Sequence, residues 1–133
     1  MTEIDIKARI IICGGRHFND YKTLESLVDS VIEENGLNYN EIEIISGHCE
    51  GADTLGELYA KNHNIACILF PAEWTKYGRA AGPIRNTQMI EYASGSQNPI
   101  AIAFLSPRTK GTLDTVKKAT KNGFIIYKYI YGQ

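Results

Sequence analysis

Short β-branched runs alternate with stretches of helical period along the chain, and glycines punctuate the joins. Ile10-Ile11-Ile12-Cys13 reads as a first strand ending in Gly14-Gly15. Leu24, Leu27, Val28, Val31 and Ile32 then recur at helical spacing, with Asn19 or Asp20 placed as N-cap and Gly36 after the end. Ile42, Ile44 and Ile45 form a second strand closed by Ser46-Gly47, and Leu55, Leu58 and Tyr59 mark a second helix opening near Gly51-Ala52-Asp53. Ala66 to Phe70 is a third strand stopped by Pro71. A long loop carrying Trp74 and Tyr77 follows, and Gly82-Pro83 reads as the N-cap and first turn of a third helix. Ile100 to Leu105 is a fourth strand. Gly111-Thr112 opens a fourth helix with Leu113, Val116 and Ala119, which Gly123 terminates before a fifth strand from Phe124 to Ile130.

Five strands alternating with four helices predict an α/β fold, with a five-stranded parallel sheet covered by helices on both faces. Right-handed crossovers leave few topologies, and the Rossmann-like order 3-2-1-4-5 is the expected one. At 133 residues the chain is expected to form one domain spanning 1–133, without linker, internal repeat or low-complexity stretch.

Composition narrows the class. A chain that is 44% hydrophobic and 22% charged is neither collagen-like nor disordered, and no apolar run approaches a membrane span. Acids at Glu3 and Asp5 stand where a signal peptide needs a basic start, so the expected location is cytoplasmic. Three cysteines (Cys13, Cys49, Cys67) fit reduced thiols better than a disulfide framework. Cys13, His48 and Cys49 fall near the ends of adjacent strands but lack the paired spacing of a zinc site, so no metal and no cofactor is expected. The net charge of −1 conceals a split: residues 1–66 carry 5 Lys/Arg against 12 Asp/Glu, residues 67–133 carry 9 against 3. Such a split favours a local anion site over a general nucleic-acid surface, which would make the whole chain basic.

In an open parallel sheet, ligands bind beyond the carboxyl ends of the strands, where strand order reverses. Here that point lies between the first and fourth strands, flanked by Gly14 to Asp20 and Ser106 to Gly111. Three glycine turns, Gly14-Gly15, Ser46-Gly47 to Gly51, and Gly111-Thr112, share that edge and would let backbone amides approach a phosphate. Neither a G-x-G-x-x-G fingerprint nor a Walker A loop is present, which disfavours ordinary dinucleotide oxidoreductases and P-loop NTPases.

Five ordered motifs carry a resemblance. They are Gly14-Gly15-Arg16-x-Phe18-x-Asp20, Ser46-Gly47-x-x-x-Gly51-Ala52-Asp53, Pro71-x-x-Trp74-x-x-Tyr77-Gly78, Ala81-Gly82-Pro83-x-Arg85-Asn86-x-x-Met89, and Gly111-Thr112. Together they resemble the YspA/YpsA-related family of the SLOG superfamily, which also holds the Lonely Guy enzymes and the Rossmann-like part of DNA-processing protein A. The resemblance implies a Rossmann-like fold that binds nucleotides or nucleotide-derived ligands, and a homodimer. In the Lonely Guy enzymes an arginine and a glutamate serve N-glycosidic hydrolysis. Arg85 is similar to that arginine, while Thr115 stands at the glutamate position and Asp114 is its neighbour. One residue along a helix turns a side chain by about 100°.

Residue by residue, Arg16 and Arg85 read as phosphate grips, against salt bridges to Asp20 or Asp53. Gly14, Gly15, Gly111 and Thr112 would hold phosphate; Ser46, Gly47 and Asp53 would meet a ribose. Asp53 also suits the first turn of a helix on dipole grounds alone. Asn86 would read a base or sugar edge, and Trp74 would either wall a base or anchor its loop. The expected function is binding or sensing of a phosphorylated nucleotide derivative. The alternatives are a nucleotide phosphoribohydrolase using Arg85 and Asp114, and single-stranded nucleic-acid binding, which the acidic first half disfavours.

Overall fold

The computed structural model describes residues 6–132. Its strands are β1 (Ala8–Gly14), β2 (Ile42–Ser46), β3 (Ala66–Leu69), β4 (Asn98–Leu105) and β5 (Ile125–Ile130). Its α-helices are α1 (Tyr21–Glu34), α2 (Ala52–Asn62), α3 (Trp74–Tyr77), α4 (Ala81–Ala93) and α5 (Gly111–Lys121). All strand pairs are parallel, in the order β3-β2-β1-β4-β5. β1 sits at the centre, with Ile10 level with Ile44 on one side and Ile100 on the other.

Successive residues of a strand point to opposite faces, and β1 and β4 use both. Ile10, Ile12, Ile100, Ile102 and Phe104 pack with Leu24, Val28 and Tyr59 of α1 and α2. Ile11, Cys13, Ala101, Ala103 and Leu105 pack with Met89 and Ile90 of α4 and Val116 and Ala119 of α5. Ile10–Cys13 of β1 and Ile100–Leu105 of β4 are therefore apolar at every position, as burial on two faces demands. No described helix is long and apolar enough to cross a membrane.

Local signals act where the pattern places them. Asp20 caps α1 by accepting from the Thr23 amide at 3.1 Å, and Gly36 follows the helix with φ +62°. Gly123 does the same after α5, with φ +77°.

The segment after β3 departs from the expected long loop. Trp74–Tyr77 form the single turn α3, a 3₁₀ turn follows over Gly78–Ala80, and α4 begins at Ala81 rather than at a Gly82 cap. Pro83 lies in the first turn of α4, where its missing N–H costs nothing. The turn was illegible because it is too short for a period, and the helix start because it continues from preceding helical backbone instead of a capping side chain.

α2 lies close on β1 because Gly56 faces Ile12: a Cβ there would come within 2.8 Å of Ile12 Cγ2 and 2.9 Å of its Cβ. Helix propensity favours Gly56→Ala by about 1 kcal/mol, and overpacking opposes it by about 1–3 kcal/mol. The clash wins here, because both atoms belong to the rigid, fully buried root of a β-branched side chain. Gly56→Ala is expected to lower the urea midpoint with an unchanged slope.

Candidate functional site

A cavity of about 590 Å³ opens beyond the carboxyl ends of β1 and β4, the two strands between which the order reverses. One wall is the segment after β1, with Gly14, Gly15, Arg16 and His17; the opposite wall is the β4–α5 connection, Ser106 to Gly111, with Thr112 and Thr115 of α5. Asp53, Arg85 and Asn86 are also at its surface, all three buried. Asp53 is the only carboxylate among the lining residues, against Arg16, Arg85, Arg108 and Lys110. Arg16, Arg108 and Lys110 are exposed and make no ion pair among the described residues. α5 starts with no side chain capping its first amides, so partial positive charge at its N-terminus adds to these cations.

Arg85 is anchored from α4. Its Nη1 donates to the Gly47 carbonyl at 2.6 Å and lies 3.6 Å from Cys49 Sγ, while Nε donates to Asn86 Oδ1 at 2.8 Å. Nη2 makes no hydrogen bond among the described residues. Asp53 comes in from the first turn of α2, and the two side chains converge on Gly47 without a direct ion pair. A Cβ at Gly47 would fall 2.6 Å from Arg85 Nη1 and 2.9 Å from Asp53 Oδ2, so any larger residue would push both groups aside. Burial pushes the Asp53 carboxyl up to about 7, although Arg85 and the amides of Cys49 and Gly14 pull it back. Burial likewise pushes the Cys13 thiol well up.

The sequence-predicted residues divide. Gly14, Gly15, Arg16, Asp53, Arg85, Asn86, Gly111 and Thr112 line the cavity; Ser46, Gly47, Gly51, Trp74 and Asp114 do not. Ser46 is fully buried, with its hydroxyl donated to Glu57 Oε2 at 2.8 Å and accepting from the His48 amide at 3.1 Å. It holds a loop in which His48 has φ +58° and binds Glu57 through Nδ1 at 2.9 Å. Gly51, with φ +85°, opens α2 against the backbone of Gly15 and Arg16, where a Cβ would collide. Trp74 is 52% exposed, and its ring passes over Gly82, outside the cavity.

Asp114 accepts from Lys118 Nζ at 2.8 Å and Asn86 Nδ2 at 3.0 Å. Partial burial raises its carboxyl, and these two donors outweigh that and leave it below the ordinary value. The carboxylate at the cavity is thus Asp53, from the other side of the sheet.

The first glycine pair also works differently from a phosphate-cradling turn. The Gly15 amide donates to the Phe104 carbonyl at 3.1 Å, and the Gly14 amide faces Asp53. What requires glycine is space: a Cβ on Gly14 would come 2.6 Å from the Phe104 carbonyl oxygen and 2.7 Å from Ala52 Cβ. Phe18 is buried and stacks on Phe104 at 4.7 Å. The start of α5 carries amides that no side chain caps.

Arg108, Lys110, Thr109 and Tyr131 were missed by the sequence reading. The first three sit in the loop already expected to flank the crevice, so its two cations were the available signal. Nothing in the sequence announced Tyr131, whose side of the cavity depends on how the chain leaves β5. Among the described residues no group of three or more His, Cys, Asp or Glu is arranged to hold a metal.

These features define a Rossmann-like α/β fold with a cation-lined crevice at its switch point. The sequence model of the YspA, cpYpsA-related SLOG family matches residues 8–77, more than half of the chain, and the chain belongs to that family. The matched span runs from β1 to α3, short of Arg85 and the β4–α5 connection. The chain is 25% identical over 126 residues to Gene 61 protein of Mycobacterium phage D29, covering 91% of this chain and 95% of that protein. DNA processing protein A from Streptococcus pneumoniae shares the fold with a TM-score of 0.68 at 18% identity, across 96% of this chain and 51% of that one. The chain thus spans about half the length of that solved structure.

A carboxyl held near 7 in the folded state, against 3.8 ordinarily, means the folded state binds its proton more tightly. The associated stability is fully present below about pH 4 and is lost as pH rises through 7. Asp53→Asn cannot lose that proton, so its stability relative to wild type is expected to improve from pH 4 to pH 8. Urea denaturation across that range checks this; a difference independent of pH would contradict a raised Asp53 carboxyl.

Proposed function

We propose that the chain binds or senses a nucleotide, or a nucleotide-derived phosphorylated ligand, in the cavity between β1 and β4. The observation that carries this reading is the convergence of four cations and the uncapped start of α5 on a hollow with one carboxylate. Its volume of about 590 Å³ falls within the range of small-molecule sites. In this reading Thr112 and the first amides of α5 hold phosphate, with Arg16, Arg108 and Lys110 closing around its charge. Asp53 lies deeper and accepts from a ribose hydroxyl, while Arg85 balances it. Asn86 presents its amide toward the sugar or base.

The geometry favours binding over N-glycosidic cleavage by Arg85 and Asp114. Asp114 lies outside the cavity and is held by Lys118 and Asn86. It also favours a discrete ligand over a nucleic-acid strand, since the cations are gathered around one hollow rather than along a groove.

Isothermal titration with AMP, ADP and ADP-ribose, with adenosine as the uncharged comparison, tests the proposal. The phosphorylated compounds are expected to bind and adenosine not to, with affinity falling as salt rises. Arg16→Ala and Lys110→Ala are each expected to weaken binding by about three- to tenfold. If none of the phosphorylated compounds binds, or if adenosine binds as well as ADP, the proposal fails.

A further inference from the structure

One cavity residue has a free hydrogen-bonding group and no part in the assignments above. Tyr131 follows β5 directly, and its amide donates to the Leu105 carbonyl at 2.8 Å, which carries the β4–β5 pairing one residue further. Its ring lies 4.9 Å from that of Phe18, which stacks in turn on Phe104 at 4.7 Å. Three aromatic rings in succession thus set the direction in which the phenol points. It points at Gly15: a Cβ there would collide with the Tyr131 hydroxyl and would lie 3.0 Å from Thr109 Oγ1.

The groups around the phenol are already occupied. The Gly15 amide donates to Phe104, and Thr109 Oγ1 accepts from the Ser106 amide at 3.0 Å. The Tyr131 hydroxyl makes no hydrogen bond among the described residues, yet Tyr131 lines the same cavity as Arg16 and Lys110. A donor held rigidly at a cationic wall, with its neighbours satisfied, loses little conformational freedom when an acceptor arrives. Gly15, whose amide is spent within the fold, is then needed to make room for this phenol.

We propose that Tyr131 is a ligand-contacting residue, donating its hydroxyl to a phosphoryl oxygen of the bound molecule. The inference rests on the nucleotide reading above and adds a residue that the segment after β1 and the β4–α5 connection do not supply. It requires an anionic acceptor, because a neutral acceptor would have no reason to lie on this side of the cavity among the cations.

Tyr131→Phe removes the hydroxyl alone and keeps the ring on Phe18. Wild type and Tyr131→Phe are titrated with ADP at a temperature where both are folded, and their melting midpoints are recorded without ligand. The expected result is an ADP affinity lowered about tenfold in the variant, the scale of a hydrogen bond to a charged group, with unchanged midpoints. A variant that binds ADP as tightly as wild type overturns the role of Tyr131 and leaves the nucleotide reading intact. Absence of ADP binding by wild type overturns both. A midpoint that falls while the ADP affinity stays equal assigns the hydroxyl to packing and also overturns the inference.

Discussion

A carboxylate taken out of water must be compensated, and in this fold the compensation of Asp53 ties together elements that are far apart in sequence. Ionised and buried without partners, such a group would cost several kcal/mol. Arg85 from α4 and the amides of Cys49 and Gly14 supply the opposing charge. α2 reaches the site from one face of the sheet, α4 from the other, and both meet at the end of β2, where Gly47 leaves just enough space. The compensation is incomplete, so the carboxyl titrates near neutrality, at the bottom of a hollow whose rim is cationic. An anion entering that hollow meets three rim cations before it meets the one acid.

The fold was legible because its signals are redundant. Ile10–Cys13 of β1 and Ile100–Leu105 of β4 are unbroken apolar runs, the mark of strands covered on both faces, and capping residues such as Asp20, Gly36 and Gly123 sit at the joints. Where redundancy lapsed, so did the reading: α3 has four residues, fewer than any period needs. The position of the cavity was legible, since the switch-point rule needs only strand order. Its chemistry was legible only in part. Arg16, Asp53, Arg85, Gly111 and Thr112 reach the cavity, but Ser46 turns inward to Glu57, and Asp114 is held aside by Lys118. These choices are made by side-chain partners that lie 4 to 28 residues away and leave no periodic trace.

Glycine was the most ambiguous letter. Gly14, Gly15, Gly47, Gly51 and Gly56 all fall in or beside motifs that suggest phosphate contact, yet each meets protein atoms where a Cβ would stand. Gly111 alone among the proposed binding glycines has open space at that point. Gly14, Gly51 and Gly56 report how tightly α2 and the segment after β1 are pressed on the sheet, while Gly15 and Gly47 make room for side chains. Among these glycines the open space lies at the start of α5, between the cavity-lining Lys110 and Thr112. The family match covers the tightly pressed part and stops before α4 and α5.

The two helical layers do not rest on the sheet in the same way. Toward α1 and α2, β4 presents Ile100, Ile102 and Phe104; toward α4 and α5 it presents Ala101, Ala103 and Leu105. The methyl groups of Ala101 and Ala103 form a thin cushion beneath α4 and α5, and neither residue lines the hollow. Bulkier side chains at 101 or 103 would have to displace the helices packed on that face or strain the core. The crevice thus rests on a floor of small side chains that its own walls do not include.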